Sequence, residues 1–174
     1  MHFCGNYCGL MKYKLYLGIG TNLGNKLENL TNCNKLIAQK IGVIKKESSI
    51  YKSEAWGFES SESFYNQVLE VETRLSPEVI LDKIKRIEKE LGRTSKSLNE
   101  VYTDRLIDID ILFFENLICW SSELEIPHKY IADRKFVIEP MAEIAPDFIH
   151  PVIGKDTKAL LLECKDESIL TKVN

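Results

Sequence analysis

Two aspartates lie two residues apart inside an apolar run near the middle of the chain, at Asp108 and Asp110. Side chains of a β-strand alternate between its faces, so both carboxylates leave one face, with about 7 Å between their Cα atoms. The alternation predicts that Ile111 and Phe113 leave the opposite face and pack in a core. Paired carboxylates repel each other and resist desolvation unless a cation lies between them, and hard oxygen ligands suit Mg²⁺. Arg105, just before the pair, could bind phosphate through its planar guanidinium.

The same acidic pair is also compatible with an ordinary exposed sheet face on which both carboxylates are solvated. The rest of the sequence has to decide between the two interpretations.

Composition limits the possible partners. The chain has 174 residues, 44% of them hydrophobic, which fits one globular domain with a core. A formal net charge of −3 provides no overall field for nucleic acid or an anionic membrane, so we expect neither as a partner. No apolar stretch has the length of a transmembrane helix. The five scattered cysteines lack a C-x-x-C pair, which favours reduced thiols and a cytoplasmic location over a disulfide framework or a zinc site.

Periodic structure begins at Lys14. We therefore predict that residues 1–13 are a dispensable N-terminal extension, with Met11 as a plausible second start, and that residues 14–174 form a single domain.

The pattern of apolar residues predicts an α+β fold. The first predicted elements are a strand at 14–20, a helix with caps at Thr21 and Asn22 that ends at Gly42, and a strand at 43–51. A loop at 52–63 and a strand at 64–73 follow. Next come a helix from Ser76-Pro77 to Gly92, a polar loop and the acidic strand. This is the order of the ferredoxin-like split βαβ fold, an antiparallel sheet with helices packed on one face and an active site on the other. A short strand at 124–126 and a helix at 134–144 should follow.

With this topology, one sheet face carries residue types that suit the floor of a binding site. It collects Tyr16, Gly18, Gly20, Phe64, Asn66, Asp108 and Asp110. An open face with aromatics, glycines, an amide and paired acids is unusual for a plain solvated surface.

Five motifs occur along the chain in a fixed order. They are Tyr16-Leu17-Gly18-Ile19-Gly20-Thr21-Asn22-Leu23-Gly24, Phe64-Tyr65-Asn66, Arg86-Ile87-Glu88 with Gly92-Arg93, Asp104-Arg105-Leu106-Ile107-Asp108-Ile109-Asp110, and Ile126-Pro127-His128 with Arg134 and Phe136. From about residue 14 to residue 150, the chain resembles the 6-hydroxymethyl-7,8-dihydropterin pyrophosphokinases of folate synthesis. The resemblance implies transfer of pyrophosphate from ATP to the pterin hydroxymethyl oxygen, through attack at the β-phosphorus, with release of AMP.

The resemblance also implies roles for particular residues. Asp108 and Asp110 would bind two Mg²⁺ that bridge the triphosphate, with Arg93 and Arg105 as further catalytic residues. The nucleotide would contact Glu88, Lys96, Tyr102, Ile111, His128 and Arg134. The pterin would contact Ser53, Glu54, Ala55, Trp56, Phe64, Asn66 and Phe136. Aromatic rings can enclose a flat heterocycle, and a carboxamide can pair with its donor and acceptor edge. ATP and the pterin would be the small-molecule partners of a monomer.

The chain departs from the family pattern in two loops. Tyr102-Thr103-Asp104 occupies the place where relatives often carry Trp-Gly-Pro, and Ala55 stands where proline is frequent. Taken singly, Phe64 and Phe136 could also be core residues.

Two other classes share the predicted strand order. RNA recognition motifs expose aromatic and basic residues on the sheet with an RNP1 sequence. Here the corresponding strand, 64–72, is acidic and lacks glycine. A ferredoxin-like module that binds a nucleotide or metabolite without catalysis is the second alternative, and absence of Mg²⁺-dependent turnover would favour it.

Overall fold

The structure, a computed structural model, describes residues 11–57, 60–92 and 104–173. Within these ranges the elements are β1 (Tyr13–Thr21), α1 (Lys26–Lys40), β2 (Gly42–Glu47), β3 (Tyr51–Ser53), β4 (Phe64–Thr73), α2 (Pro77–Glu90), β5 (Asp108–Phe114), β6 (Cys119–Trp120), β7 (Glu125–Ile126), α3 (Lys135–Ile144), α4 (Thr157–Glu163) and β8 (Thr171–Lys172). Most of the predicted extension lies outside the described residues, so its dispensability stays a prediction.

An antiparallel sheet forms the centre of the fold and, in the described part of the chain, contains six strands in the order β5-β1-β4-β3-β8, with β2 also paired to β4. The predicted α+β ferredoxin-like arrangement is confirmed. Helix α2 begins after Ser76 and ends before Gly92, whose positive φ of 96° suits a glycine.

Helices α1 and α2 cover one face of the sheet, as the split βαβ pattern predicts. Their buried stripes, which include Ile37 and Ile84, pack on Leu17, Leu69 and Ile109 of three neighbouring strands. This core holds the backbone of β1, β4 and β5 in place beneath the opposite face.

The predicted strand at 43–51 is wrong in one respect, because β2 and β3 are separate strands that both pair with β4. Between them, the Ser48 N–H donates to the Val68 carbonyl at 2.9 Å, and the Val68 N–H donates to Ser48 Oγ at 3.0 Å. The Ser48 hydroxyl thus accepts a hydrogen bond in place of a backbone carbonyl of the ladder with β4, and the strand is interrupted at Ser48.

The prediction that Phe113 shares the core with the isoleucines is also wrong. The register between β1 and β5 shifts between Tyr16 and Leu17, so that Leu17 pairs with Ile111 while Tyr16 pairs with Phe113. A β-bulge adds one residue to a strand and reverses the alternation beyond it. Phe113 therefore leaves the sheet on the side of the aspartates, and Phe114 joins the helix-side core.

Part of the second sheet face is covered, although the sequence predicted this face to be open. Helices α3 and α4 pack there through Ile138, Met141 and Leu160, which contact Tyr16 and Phe113 in a second apolar cluster. The uncovered part is the end of the sheet where Asp108 and Asn66 lie. None of the described helices has the length and apolar character that crossing a membrane would require.

Candidate active site

Two glycines of β1 lie beside the acidic pair. Gly20 pairs with Asp108 on one side and Asn66 on the other, and Gly18 pairs with Asp110. Residues directly opposite each other in antiparallel strands project from the same face. The two carboxylates and the Asn66 amide therefore border a strip without side chains, which leaves a depression in the sheet.

A cleft opens over this strip. The structure brings most predicted site residues of the described segments to its walls: Ser53, Glu54, Trp56, Phe64, Asn66, Arg105, Asp108, Asp110, Arg134 and Phe136. Ala55 lies between two of them in the loop after β3.

The charged form of Asp110 is destabilised by its surroundings. Burial and the neighbouring Asp108 charge raise the pKa of Asp110 to about 7, although Arg134 and Arg105 act in the opposite direction. Arg105 Nη1 donates to Asp108 Oδ2, so one cation already partners one of the acids. At Asp110, the two arginine charges thus do not offset the effect of burial and of Asp108.

Within the described residues, no group of three or more His, Cys, Asp and Glu side chains could hold a metal. Two carboxylates nevertheless fit Mg²⁺, which keeps several waters and binds through one or two carboxylates plus substrate phosphates.

Asn22 fixes the segment that leads into the acidic strand. Its backbone N–H donates to the Arg105 carbonyl at 3.1 Å, and its Oδ1 accepts from the Arg105 N–H at 2.7 Å. Its Nδ2 donates to Asp104 at 2.6 Å, and Ser60 donates to the same carboxylate oxygen at 2.7 Å. These four residues link the end of β1, the turn before β5 and the loop before β4.

The predicted caps of α1 are therefore wrong. Asn25 caps α1, since its side chain accepts from the Glu28 N–H, whereas Thr21 Oγ1 donates to the Leu106 carbonyl at 2.6 Å. Asn22 is fully buried, and a buried carboxamide needs partners of its own.

Asn66 is oriented by β3. Its Nδ2 donates to Ser53 Oγ at 2.9 Å, and both side chains are buried. Its Oδ1 lies toward Gly20, where an added Cβ would come within 3.3 Å of it. The amide thus has a fixed orientation, with its carbonyl oxygen above the glycine strip.

Arg134 lies among aromatic rings. Its guanidinium carbon is 4.5 Å from the centroid of the Trp56 ring, 4.7 Å from that of Tyr130 and 5.9 Å from that of Phe136. Such cation–π contacts hold both cation and rings in place. Tyr130 was not predicted, and its place two residues after the Pro-His motif was the available signal.

His128 lies next to β5, where its N–H donates to the Leu112 carbonyl at 3.1 Å. Burial and the Arg134 charge lower the pKa of His128 to about 4, although the Asp108 charge opposes them. Its Nδ1 accepts from the Tyr130 N–H at 3.3 Å. A neutral ring whose Nδ1 is an acceptor carries its proton on Nε2.

Three predicted nucleotide contacts do not line the cleft: His128, Glu88 and Ile111. Glu88 is buried in α2 and accepts from the Ile109 N–H of β5 at 3.0 Å. Ile111 belongs to the core on the helix side. Arg93, Lys96 and Tyr102 lie outside the described residues.

Comparison with known proteins decides the class of this site. The sequence model of the family described as 7,8-dihydro-6-hydroxymethylpterin-pyrophosphokinase matches residues 16–146. The chain belongs to this family. The match includes all of the glycine strip, the acidic strand and the Pro-His motif.

Individual relatives agree with the pyrophosphokinase assignment. The 2-amino-4-hydroxy-6-hydroxymethyldihydropteridine pyrophosphokinase of Aquifex aeolicus is 36% identical over 156 residues, which cover 90% of this chain and 92% of the relative. That of Porphyromonas gingivalis is 41% identical over 138 residues, or 79% of this chain and 93% of the relative. The chain matches only 22% of the folic acid synthesis protein FOL1 of Dictyostelium discoideum, at 38% identity.

A solved structure supports the fold. A Plasmodium falciparum HPPK-DHPS structure superposes with a TM-score of 0.72 at 17% identity, covering 88% of this chain and 44% of that chain. The family match and the pyrophosphokinase relatives show that the chain is an ATP-dependent pyrophosphokinase of folate biosynthesis, which acts on 6-hydroxymethyl-7,8-dihydropterin and releases AMP. The non-catalytic alternatives are not favoured.

Proposed function

We propose that the cleft over Gly18 and Gly20 is where this pyrophosphokinase reaction takes place, with Asp108 and Asp110 as ligands of Mg²⁺. One observation carries the proposal: two carboxylates share a face beside a strip without side chains, and the pKa of Asp110 is raised to about 7. A divalent cation would offset the repulsion between the two carboxylates.

Mg²⁺ bound there would neutralise charge on the triphosphate of ATP. Two ions would be needed with ATP, each completing its ligands from phosphate oxygens and water. The remaining contribution of the chain is to bind and orient, because pyrophosphoryl transfer depends mainly on positioning and charge neutralisation.

We assign the nucleotide to the side of the cleft that holds Arg105 and Arg134, with His128 close to Arg134 and Asp108. The two guanidinium groups supply positive charge next to the acids. The Nε2–H of His128 would donate to a phosphate oxygen without adding a charge, since the ring is neutral near pH 7. Arg93, Lys96 and Tyr102 are proposed for the same side. Glu88 and Ile111 also stay proposed nucleotide contacts, although their observed contacts are with β5 and the helix-side core.

We assign the pterin to the side that holds Asn66. The oriented amide would pair with the polar edge of the heterocycle, and Phe64 and Phe136 would contact its faces. Ser53, Glu54, Ala55 and Trp56 would close the site along the loop after β3.

We also propose that the protein acts as a monomer on its two small-molecule substrates in the cytoplasm, without a nucleic-acid partner. The net charge of −3 supports the absence of a nucleic-acid partner, and the scattered cysteines support the cytoplasmic location.

The test combines ATP, the hydroxymethyl-dihydropterin and Mg²⁺ with the purified protein. One AMP should form per pterin consumed, and ADP as the main nucleotide product would contradict the proposal. Asp108→Ala and Asp110→Ala should lower turnover at least about 100-fold, while pterin affinity changes far less. Asp133→Ala, at an exposed carboxylate next to α3, is the control that should keep full turnover.

A further inference from the structure

We infer that the last described segment, residues 165–173, positions residues of the cleft, and that its Asp166 is a positioning residue for Phe136 on the pterin side and for the neighbouring Arg134. We call this segment the C-terminal strap. The inference rests on the proposed assignment of these two residues to the site. It concerns a part of the chain beyond residue 146, where the family match ends.

Asp166 caps the helix that carries Phe136. Its Oδ2 accepts from the Lys135 N–H, the first of α3, at 2.9 Å, and its Oδ1 accepts from the Ser168 N–H at 2.9 Å. Although burial acts in the opposite direction, these hydrogen bonds lower the pKa of Asp166. The carboxylate therefore joins the strap to the start of α3 in its charged form near pH 7.

Helix α3 needs a cap from elsewhere, because its own sequence supplies none. Its N-cap residue is Arg134, whose side chain makes no capping hydrogen bond, and the first turn contains no acidic residue. A cation at a helix N-terminus is unfavourable, and Arg is a poor N-cap because it has no acceptor. Asp166 supplies both the acceptor and the negative charge, while the Arg134 guanidinium lies over the Trp56 ring.

The strap has a second attachment on the other wall of the cleft. Thr171 of β8 pairs with Lys52 of β3, and the Val173 N–H donates to the Ile50 carbonyl at 2.9 Å. Strand β3 ends at Ser53, which accepts the hydrogen bond from Asn66. One segment thus holds both the β3 edge, which orients Asn66, and the start of α3, which carries Arg134 and Phe136.

The experiment compares Asp166→Ala with Asp166→Asn and with a matched cap elsewhere. Asp156 is the N-cap residue of α4, where its Oδ1 accepts from the Ala159 N–H at 2.8 Å, and it does not line the cleft. Asp166→Ala should raise the KM for the pterin roughly tenfold, the size expected for a lost cap that orients a binding residue. Asp166→Asn keeps an acceptor and should recover most of this loss, and Asp156→Ala should leave the KM for the pterin unchanged.

A spectroscopic measurement separates positioning from a purely structural role. The sequence contains two tryptophans, Trp56 and the exposed Trp120, so Trp120→Phe leaves Trp56 as the reporter. Asp166→Ala should shift Trp56 emission and weaken its response to the pterin, because Arg134 moves away from the ring. Asp156→Ala should change neither. If Asp166→Ala does not fold, Asp166→Ser replaces it, with the same direction expected.

Equal KM values and equal Trp56 emission for Asp166→Ala and the unchanged protein would overturn the inference. So would equal effects of Asp166→Ala and Asp156→Ala on the KM for the pterin. Failure of the unchanged protein to form AMP from ATP and pterin would instead contradict the proposed function. The Trp56 emission of the same variants would still report on the strap in that case.

Discussion

Gly20 of β1 is the direct cross-strand partner of Asp108 of β5. The glycine has Asn66 on its other side, so the metal-binding and pterin-binding parts of the proposed site meet over a residue without a side chain. A strand-interior glycine weakens a sheet, and its use here fits a position that a ligand approaches closely.

The first prediction is that Gly20→Ala lowers substrate affinity without unfolding the protein. The new Cβ would lie 3.3 Å from Asn66 Oδ1 and 4.0 Å from a Phe64 ring carbon. Both are side chains that can shift slightly, so the melting temperature should change little, but the floor of the cleft is raised. We expect the KM for the pterin to rise at least about tenfold, as measured by steady-state kinetics.

Gly42→Ala provides the contrast. A Cβ there would come within 2.3 Å of the Glu72 backbone oxygen, far from the cleft, so this variant should be strongly destabilised. Equal losses of melting temperature in Gly20→Ala and Gly42→Ala would show that Gly20 serves the sheet and not the site.

The second prediction concerns pH and Asp110. Its pKa is about 7 in the folded protein, against about 3.9 in an unfolded chain, so the folded state holds this proton over that range while the unfolded state releases it. The stability that the protonated carboxyl contributes is full below about pH 4 and is lost as pH rises toward 7. Without metal, Asp110→Asn should therefore be more stable than the unchanged protein at pH 8, by about 1 kcal/mol or more, and about equally stable at pH 4.

Unfolding in chelator at several pH values measures this difference. Addition of Mg²⁺ and an ATP analogue should reverse the order, because only the unchanged protein retains the full ligand pair. Asp133→Asn, at an exposed position, should show neither the gain in stability at pH 8 nor its reversal by Mg²⁺ and the ATP analogue. A pH-independent difference for Asp110→Asn would mean that burial and Asp108 do not strain this carboxylate.

The third prediction concerns the Ser53 hydroxyl. Ser53→Ala removes the acceptor of the Asn66 Nδ2 in a buried environment, which leaves the amide without a fixed orientation. The KM for the pterin should rise about tenfold while that for ATP stays the same. Ser121→Ala, in the turn between β6 and β7, is a control for the loss of a serine hydroxyl. A parallel rise of both KM values would contradict a role specific to the pterin.

Much of the fold was predictable because it depends on local periodicity. The alternation of β4 and the spacing of Ile80, Ile84 and Ile87 in α2 determine which side meets the core. The bulge opposite Tyr16 and the interruption at Ser48 depend on hydrogen bonds to other strands, so no local pattern indicates them. Coverage of the second sheet face by α3 and α4 is equally a long-range result.

The site residues likewise fall into two groups: those that local patterns predict and those whose contacts only the folded chain creates. Asp108 and Asp110 were placed on one face by strand geometry, and Asn66 and Phe64 by the alternation of β4. Tyr130 and Asp166 were missed because each acts through a contact with Arg134 or its neighbour, which only the folded chain creates. Asn22 was interpreted as a cap because asparagine after a strand is compatible with either role.

The last prediction concerns Asn22, which holds the turn before the acidic strand. Asn22→Ala removes the side-chain hydrogen bonds to the Arg105 N–H and to Asp104. Buried groups that lose partners cost about 1–3 kcal/mol, and Arg105 would lose the backbone position from which it bonds to Asp108. We therefore expect lower stability together with a rise in the KM for ATP of roughly tenfold, measured by denaturant unfolding and kinetics. Asn34→Ala, which loses hydrogen bonds to Glu47 and Gln67 away from the acidic strand, should lower stability without changing that KM. An unchanged KM for ATP in Asn22→Ala would limit Asn22 to a structural role.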